Sequence, residues 1–228
     1  NEVAKKKPRT DWDCTHIPHG INQKHFYPIS IYDEEYKKVK EMRKQLTDDK
    51  IEFIVFYNNR NIRRKSPGDL VLAFKTFCDM LPKEKADKCA LLMHTQPKDT
   101  NGTDLPEVAK MVAPGCKVYF SANKLEPNQL NWFYNMADVT INIASNEGFG
   151  LGTCESLMSG TPITVNVTGG LQDQCGFKLN DKLVTYEDYT EIKSFHDDRK
   201  WKDNPELTWG EWVKPVWPKT RSLQGSPP

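Results

Sequence analysis

The sequence predicts an α/β fold built on a doubly wound parallel sheet, and three observations lead there. Five short apolar runs of five to seven residues recur through the middle of the chain, as buried strands do. Segments with apolar residues at helical spacing separate them. Proline and glycine punctuate the junctions. Strands that alternate with helices in this way are joined by crossovers and therefore pair in parallel.

The first strand is expected over 51–57 (IEFIVFY), followed by a helix over 67–80 with Leu70, Val71, Phe74, Phe77 and Cys78 on one stripe. A second strand covers 89–94 (CALLMH), a short helix 105–112 and a third strand 117–121 (KVYFS). The helix expected over 127–137 opens on Pro127, which suits a first turn. A fourth strand covers 139–144 (VTINIA), and a helix over 151–159 ends at Gly160. The fifth strand covers 161–167 (TPITVNV). Around this unit, assigned to 31–195, residues 1–30 read as an irregular linker broken by Pro8, Pro18, Gly20 and Pro28. Residues 196–228 read as a Trp- and Pro-rich tail.

Composition narrows the class of function. The 228 residues carry a net charge of +1, which excludes a global field directed at nucleic acid or an anionic membrane. The basic clusters Lys5–Lys6–Lys7 and Arg63–Arg64–Lys65 are local. No run approaches the roughly 20 apolar residues of a membrane span, so membrane association is not indicated. The six cysteines (14, 78, 89, 116, 154 and 175) form neither a CxxC pair nor a Cys/His metal pattern. A reducing, cytoplasmic setting without a bound metal is the expectation. The sequons at Asn101 and Asn166 carry little weight, because such triplets arise by chance.

Ligands of such sheets lie beyond the carboxyl ends of the strands, so the junctions after each strand matter most. After the first, Arg60 and Lys65 lie in a loop entering a helix. They fit either a diphosphate clamp or a solvated basic loop. After the third, Phe120, Ser121 and Ala122 suit a stacked base or an ordinary strand end with Phe120 in the core. After the fourth, Glu147, Gly148, Phe149, Gly150 and Leu151 lead to Glu155 within the first two turns of a helix. Glycines admit a ligand close to the backbone, and the helix start favours phosphate. Carboxylates accept hydrogen bonds from sugar and ribose hydroxyls, so the pair reads as a nucleotide-sugar site; the alternative is a capping acid beside an exposed one. After the fifth, Gly169–Gly170 forms a turn and Asp173 suits a helix cap.

The Glu147 and Glu155 spacing resembles the E-x7-E motif of retaining glycosyltransferases with two Rossmann-like domains (GT-B), especially family 4. The stretch EGFGLGTCESLMSGTPITVNVTGGLQD resembles that family's signature. Arg60 and Lys65 are similar to its R-x4-K diphosphate motif, and Ile17 to Asn22 with Phe26 to its interdomain linker. The resemblance runs from about residue 15 to about 190, with four motifs in order. It implies one half of a GT-B fold and transfer of a hexosyl group with retention from a nucleoside diphosphate sugar, with no cofactor and no obligatory metal. Glu147 would then serve catalysis and, with Gly148 and Phe149, face the donor sugar. Arg60, Lys65, Gly150 and Leu151 would hold the diphosphate. Glu155 would take the ribose, and Phe120, Ser121 and Ala122 the base.

Two departures stand against the family pattern. Its N-terminal acceptor domain has no counterpart in this sequence, and neither has the closing C-terminal helix. The expectation is a donor-binding half whose partner domain belongs to the same longer chain or to another protein. The tail and the loop over 58–65 also resemble sugar transferases of large viruses and phages. Alternatives are a non-catalytic nucleotide-sugar-binding module and a GT-B epimerase. A dinucleotide-dependent dehydrogenase is disfavoured, because the loop after the first strand is basic and lacks the glycine fingerprint.

Overall fold

Alternation along the central strands decides which helix covers which face of the sheet. The computed structural model describes residues 17, 19–47, 50–183 and 207–216. Of the tail read over 196–228 only 207–216 is described, and of the linker read over 1–30 only 17 and 19–30. Strands β1 (Phe53–Asn58) and β2 (Cys89–His94) are buried on both faces. On one side Val55, Tyr57, Leu91 and Met93 pack with helix α2 (Pro67–Asp79); α3 (Lys83–Ala86) and α4 (Leu105–Val112) flank the same cluster. On the other, Ile54, Phe56, Ala90 and Leu92 pack against α5 (Pro127–Met136), with Val39 of α1 (Glu35–Leu46) and Phe26 completing the cluster. Odd and even positions of one strand thus enter different cores, as the two-residue period requires.

The remaining strands of the main sheet are β3 (Lys117–Ser121), β4 (Val139–Asn142) and β5 (Ile163–Asn166). Two short helices, α6 (Leu151–Met158) and α7 (Leu171–Gln174), follow β4 and β5. Beyond them come β6 (Lys178–Leu179), β7 (Lys182–Leu183), β8 (Leu207–Thr208) and β9 (Val213–Val216). The main sheet has six strands in the order β3-β2-β1-β4-β5-β9, all parallel, and β6 to β8 form a small antiparallel sheet. This is the Rossmann-like arrangement the sequence implies. Of the predicted elements, β2, β3 and α4 have the expected bounds, and the others differ by one to two residues at their ends.

Those differences have local causes. β4 stops at Asn142, whose Oδ1 accepts from Ala144 N at 3.2 Å and so competes with the ladder. β5 begins after Pro162, which has no N–H to give. The tail expected over 196–228 contains a sheet strand: β9 pairs with β5 from Ile163↔Val213 to Asn166↔Val216. Pro215 is compatible with this because β9 lies at the edge. The segment read as a linker is also partly core. Phe26 meets Tyr134 edge-on at 6.1 Å, Asn131 brackets Tyr27, and Asn135 accepts from Ile29 N at 2.7 Å.

Candidate functional site

The strand order reverses between β1 and β4, and a crevice at such a switch point is where α/β sheets bind ligands. A cavity of about 710 Å³ opens there. The loop after β1 lines it with Asn58, Asn59, Arg64 and Lys65, and the loop after β4 with Glu147 to Gly152. Glu155 of α6 lies in the lining, as do Gly170, Asp173 and Gln174 around α7. Ile17 and His19 of the N-terminal segment and Leu130 of α5 also contribute.

The cationic side is made by one 3-10 turn, Arg63–Lys65, which aims two neighbouring cations at one acid. Lys65 Nζ bonds Glu147 Oε1, and Arg64 Nη1 lies 3.2 Å from Oε2 of the same carboxylate. Arg64 also donates to Asn146 O at 2.8 Å. Lys65 and Glu147 are both buried, at 8% and 5% exposure. Burial holds the Lys65 ammonium below its ordinary range, against the opposing pull of Glu147. Beneath the carboxylate, Asn142 Nδ2 reaches Oε1 at 3.4 Å and Thr153 Oγ1 at 3.0 Å.

The glycine loop brings backbone to the same point. Gly150 starts α6 with φ +89°, a conformation that favours glycine. The helix therefore opens directly on the cavity, with its first-turn N–H groups and positive dipole end. Gly169, at φ +48°, lies under the loop so closely that a Cβ there would stand 1.9 Å from Glu147 O. Gly170 N donates to that oxygen at 3.1 Å, and Gln174 Nε2 donates to Phe149 O at 2.6 Å. The ring of His19 lies 5.4 Å from that of Phe149.

Glu155 has a different setting. Its Oε2 accepts from Tyr134 OH at 2.7 Å and from Asn58 Nδ2 at 3.4 Å. Asn58 Nδ2 also donates to Tyr134 OH at 2.8 Å. Burial raises the Glu155 pKa, and the hydrogen bond from Tyr134 only partly opposes it. The two acids thus face one cavity, one matched by cations and one by neutral donors.

Of the residues expected in the site, Glu147, Gly148, Phe149, Gly150, Leu151, Glu155 and Lys65 come together. Arg60 does not: it is exposed and bonds Asp99 through Nε at 3.0 Å, away from the cavity lining. Arg64, which lies outside the R-x4-K spacing, occupies the lining instead. Phe120, Ser121 and Ala122 are not in the lining either. Phe120 packs into the core beside α2 and α4, Ser121 Oγ lies 3.1 Å from His94 Nδ1, and Ala122 O accepts from Gln96. Asn58, Tyr134 and Gln174 carried no chemical signal in the sequence, since an amide or phenol at a strand or helix end is usually structural. Among the described residues no group of three or more His, Cys, Asp or Glu is placed to hold a metal. No described helix is long and apolar enough to cross a membrane.

The sequence matches no protein-family model. It is similar to the alpha-monoglucosyldiacylglycerol synthase of Acholeplasma laidlawii, with 29% identity over 157 residues, 68% of this chain and 36% of that protein. Among solved structures, sucrose-phosphate synthase from Thermosynechococcus elongatus aligns with a TM-score of 0.54 and 26% identity, over 82% of this chain and 43% of that one. The C-terminal domain of a group 1 glycosyl transferase (LpcC) from Francisella tularensis aligns with a TM-score of 0.54 and 16% identity. That alignment covers 81% of this chain and 89% of the LpcC domain. The chain therefore spans less than half of the first two proteins and nearly all of the isolated domain. In fold it is similar to that C-terminal glycosyl transferase domain, and in sequence to part of the two synthases.

Proposed function

We propose that this chain binds the donor of a retaining glycosyltransferase, a nucleoside diphosphate hexose. Convergence of Glu147, Lys65 and Glu155 on one cavity at the α6 N-terminus carries the proposal. Each part of such a donor has a counterpart of suitable chemistry. The diphosphate goes to the cations after β1 and to the start of α6. The ribose diol goes to Glu155, and the sugar to Glu147, Gly148 and the backbone of Phe149. The base is proposed to run from the ribose past the cavity lining to the end of β3, at Phe120 to Ala122, which stand outside that lining.

Breaking the bond between the anomeric carbon and the diphosphate leaves negative charge on the departing phosphate. Preorganised cations and helix N–H groups aimed at that charge stabilise it, which is the task a metal ion performs in other transferases. Transfer itself needs an acceptor domain such as the one the longer relatives have room for, carried by the same polypeptide or by a partner. The test is calorimetric titration of the purified chain with UDP, GDP and ADP, then with their sugar conjugates, without added metal. Binding of one diphosphate, abolished in Glu155→Ala and weakened in Lys65→Ala, supports the proposal. Failure of all three to bind a chain shown by circular dichroism to be folded refutes it.

A further inference from the structure

Both oxygens of the Glu147 carboxylate are engaged by cations. Lys65 takes Oε1 and Arg64 takes Oε2, so the trio carries a net charge of one positive unit. Such a carboxylate is a poor acceptor for sugar hydroxyls, because its lone pairs are directed at stronger donors. The same cations are the groups of the cavity lining that suit a diphosphate. One carboxylate and one diphosphate therefore compete for one pair of cations.

Lys65 makes the competition strict. At 8% exposure its ammonium has little water, and burial alone drives it toward the neutral form. It stays charged while an anion faces it, and a diphosphate can serve in place of the carboxylate. Arg64 differs in being accessible: its side chain is 40% exposed and is anchored to Asn146 O. A guanidinium held on one side by a carbonyl retains donors for phosphate oxygens. Arg60 has neither property, since Asp99 matches its charge outside the cavity.

We infer that Arg64, together with Lys65, grips the donor diphosphate, and that Glu147 is the built-in anion it replaces. The incoming diphosphate takes both cations, and the released carboxylate turns to the sugar hydroxyls. Full use of Glu147 thus depends on a diphosphate being present, which couples recognition of the two halves of the donor. The inference rests on the nucleotide-sugar reading of the cavity.

Inorganic pyrophosphate, with no sugar and no base, isolates the exchange. Its affinity is measured by calorimetry for the native chain and for Glu147→Gln, Arg64→Gln and Arg60→Gln, each checked by thermal melting. Glu147→Gln should bind pyrophosphate about tenfold more tightly, because one charge-assisted competitor is gone. The same variant should lose whatever affinity a sugar conjugate gains over its parent diphosphate. Arg64→Gln should bind about tenfold more weakly, and Arg60→Gln should stay within about twofold of the native chain. Unchanged or weaker pyrophosphate binding by folded Glu147→Gln overturns the inference, and so does a loss in Arg60→Gln as large as in Arg64→Gln. If Glu147→Gln does not fold, the comparison of the two arginine variants decides. A native chain that binds no nucleoside diphosphate sinks the nucleotide reading and the inference with it. Intact binding with the wrong order among variants sinks the inference alone.

Discussion

Replacing Glu155 with Gln removes its charge while keeping the acceptor that Tyr134 needs. In the structure Oε2 is shared by Tyr134 OH at 2.7 Å and Asn58 Nδ2 at 3.4 Å, which leaves Oε1 as the main oxygen for a ribose diol. A hydrogen bond to a charged group contributes about 1.5–3 kcal/mol, against about 0.5–1.5 kcal/mol for a neutral one. Converting two such bonds should therefore cost about 2–3 kcal/mol, or roughly 30- to 150-fold in Kd. The assay is a thermodynamic cycle in which both proteins are titrated with the nucleoside diphosphate and with its 2′,3′-dideoxy analogue. The analogue should bind the two proteins about equally, since the lost interaction is the same on either leg. If the two losses simply add, Glu155 does not touch the ribose and its assignment fails.

The same substitution carries a pH signature. Burial raises the Glu155 pKa in the folded chain, so over the interval between its unfolded and folded values the native state holds the extra proton. Stability from this group is present below the unfolded pKa and is lost as pH rises through the folded one. Glu155→Gln should therefore melt higher than the native chain at neutral pH, and the difference should disappear in acid. A Glu155→Gln variant no more stable than the native chain at neutral pH contradicts this account.

Other perturbations test the scaffold. Gly169→Ala sets a Cβ against Glu147 O at a positive φ, which should destabilise by about 1–3 kcal/mol and reduce what a sugar conjugate gains over its parent diphosphate as the acid shifts. Melting and titration check the two parts. Asn131→Ala leaves Tyr27 N without its partner, while Tyr27 O keeps Asn135 Nδ2 and Ser159 Oγ keeps Glu155 O; for one orphaned group a loss of about 1–3 kcal/mol is expected in urea unfolding. Limited proteolysis should then cut earlier between residues 20 and 30. Phe56→Ala removes a ring wedged between Phe133 and Tyr134, and should cost about 3–5 kcal/mol with the slope of the urea transition unchanged.

Strands β1 and β2 were the most legible because they are apolar on both faces, so the runs 53–57 and 89–93 stand out against any background. Helix α1 was not legible, since EYKKVKEMRKQL buries Val39 alone, and its stripe continues only through the half-buried Met42 and Leu46 among charged residues. β9 was hidden for a different reason: its four residues include a lysine and a proline, tolerable only at an edge that sequence does not reveal. In the site, the acids and glycines were legible from their spacing, because a loop entering a helix has few geometries. The choice between Arg60 and Arg64 was not. It turns on Asp99, which lies 39 positions from Arg60 and draws its side chain away.

The two acids show why a cavity of this kind needs unequal surroundings. On the proposed reading each must stay an acceptor, yet the diphosphate also needs cations within a few ångströms, and a cation that satisfies an acid removes it from use. Glu147 sits inside the cationic side and is matched by Arg64 and Lys65. Glu155 is on the far side of the α6 start, where Tyr134 and Asn58 offer neutral donors only. Neutral donors orient a carboxylate without cancelling its charge, so its attraction for hydroxyl donors survives burial. On the proposed reading, the instability this creates at Glu155 is the expected mark of a group kept for binding rather than for folding. A lysine or arginine beside Glu155 would stabilise the fold and spoil that role. Asn58→Lys should accordingly raise the melting temperature while weakening nucleoside diphosphate binding, through loss of the ribose contact. Tighter binding by that variant would show that Glu155 faces phosphate rather than ribose.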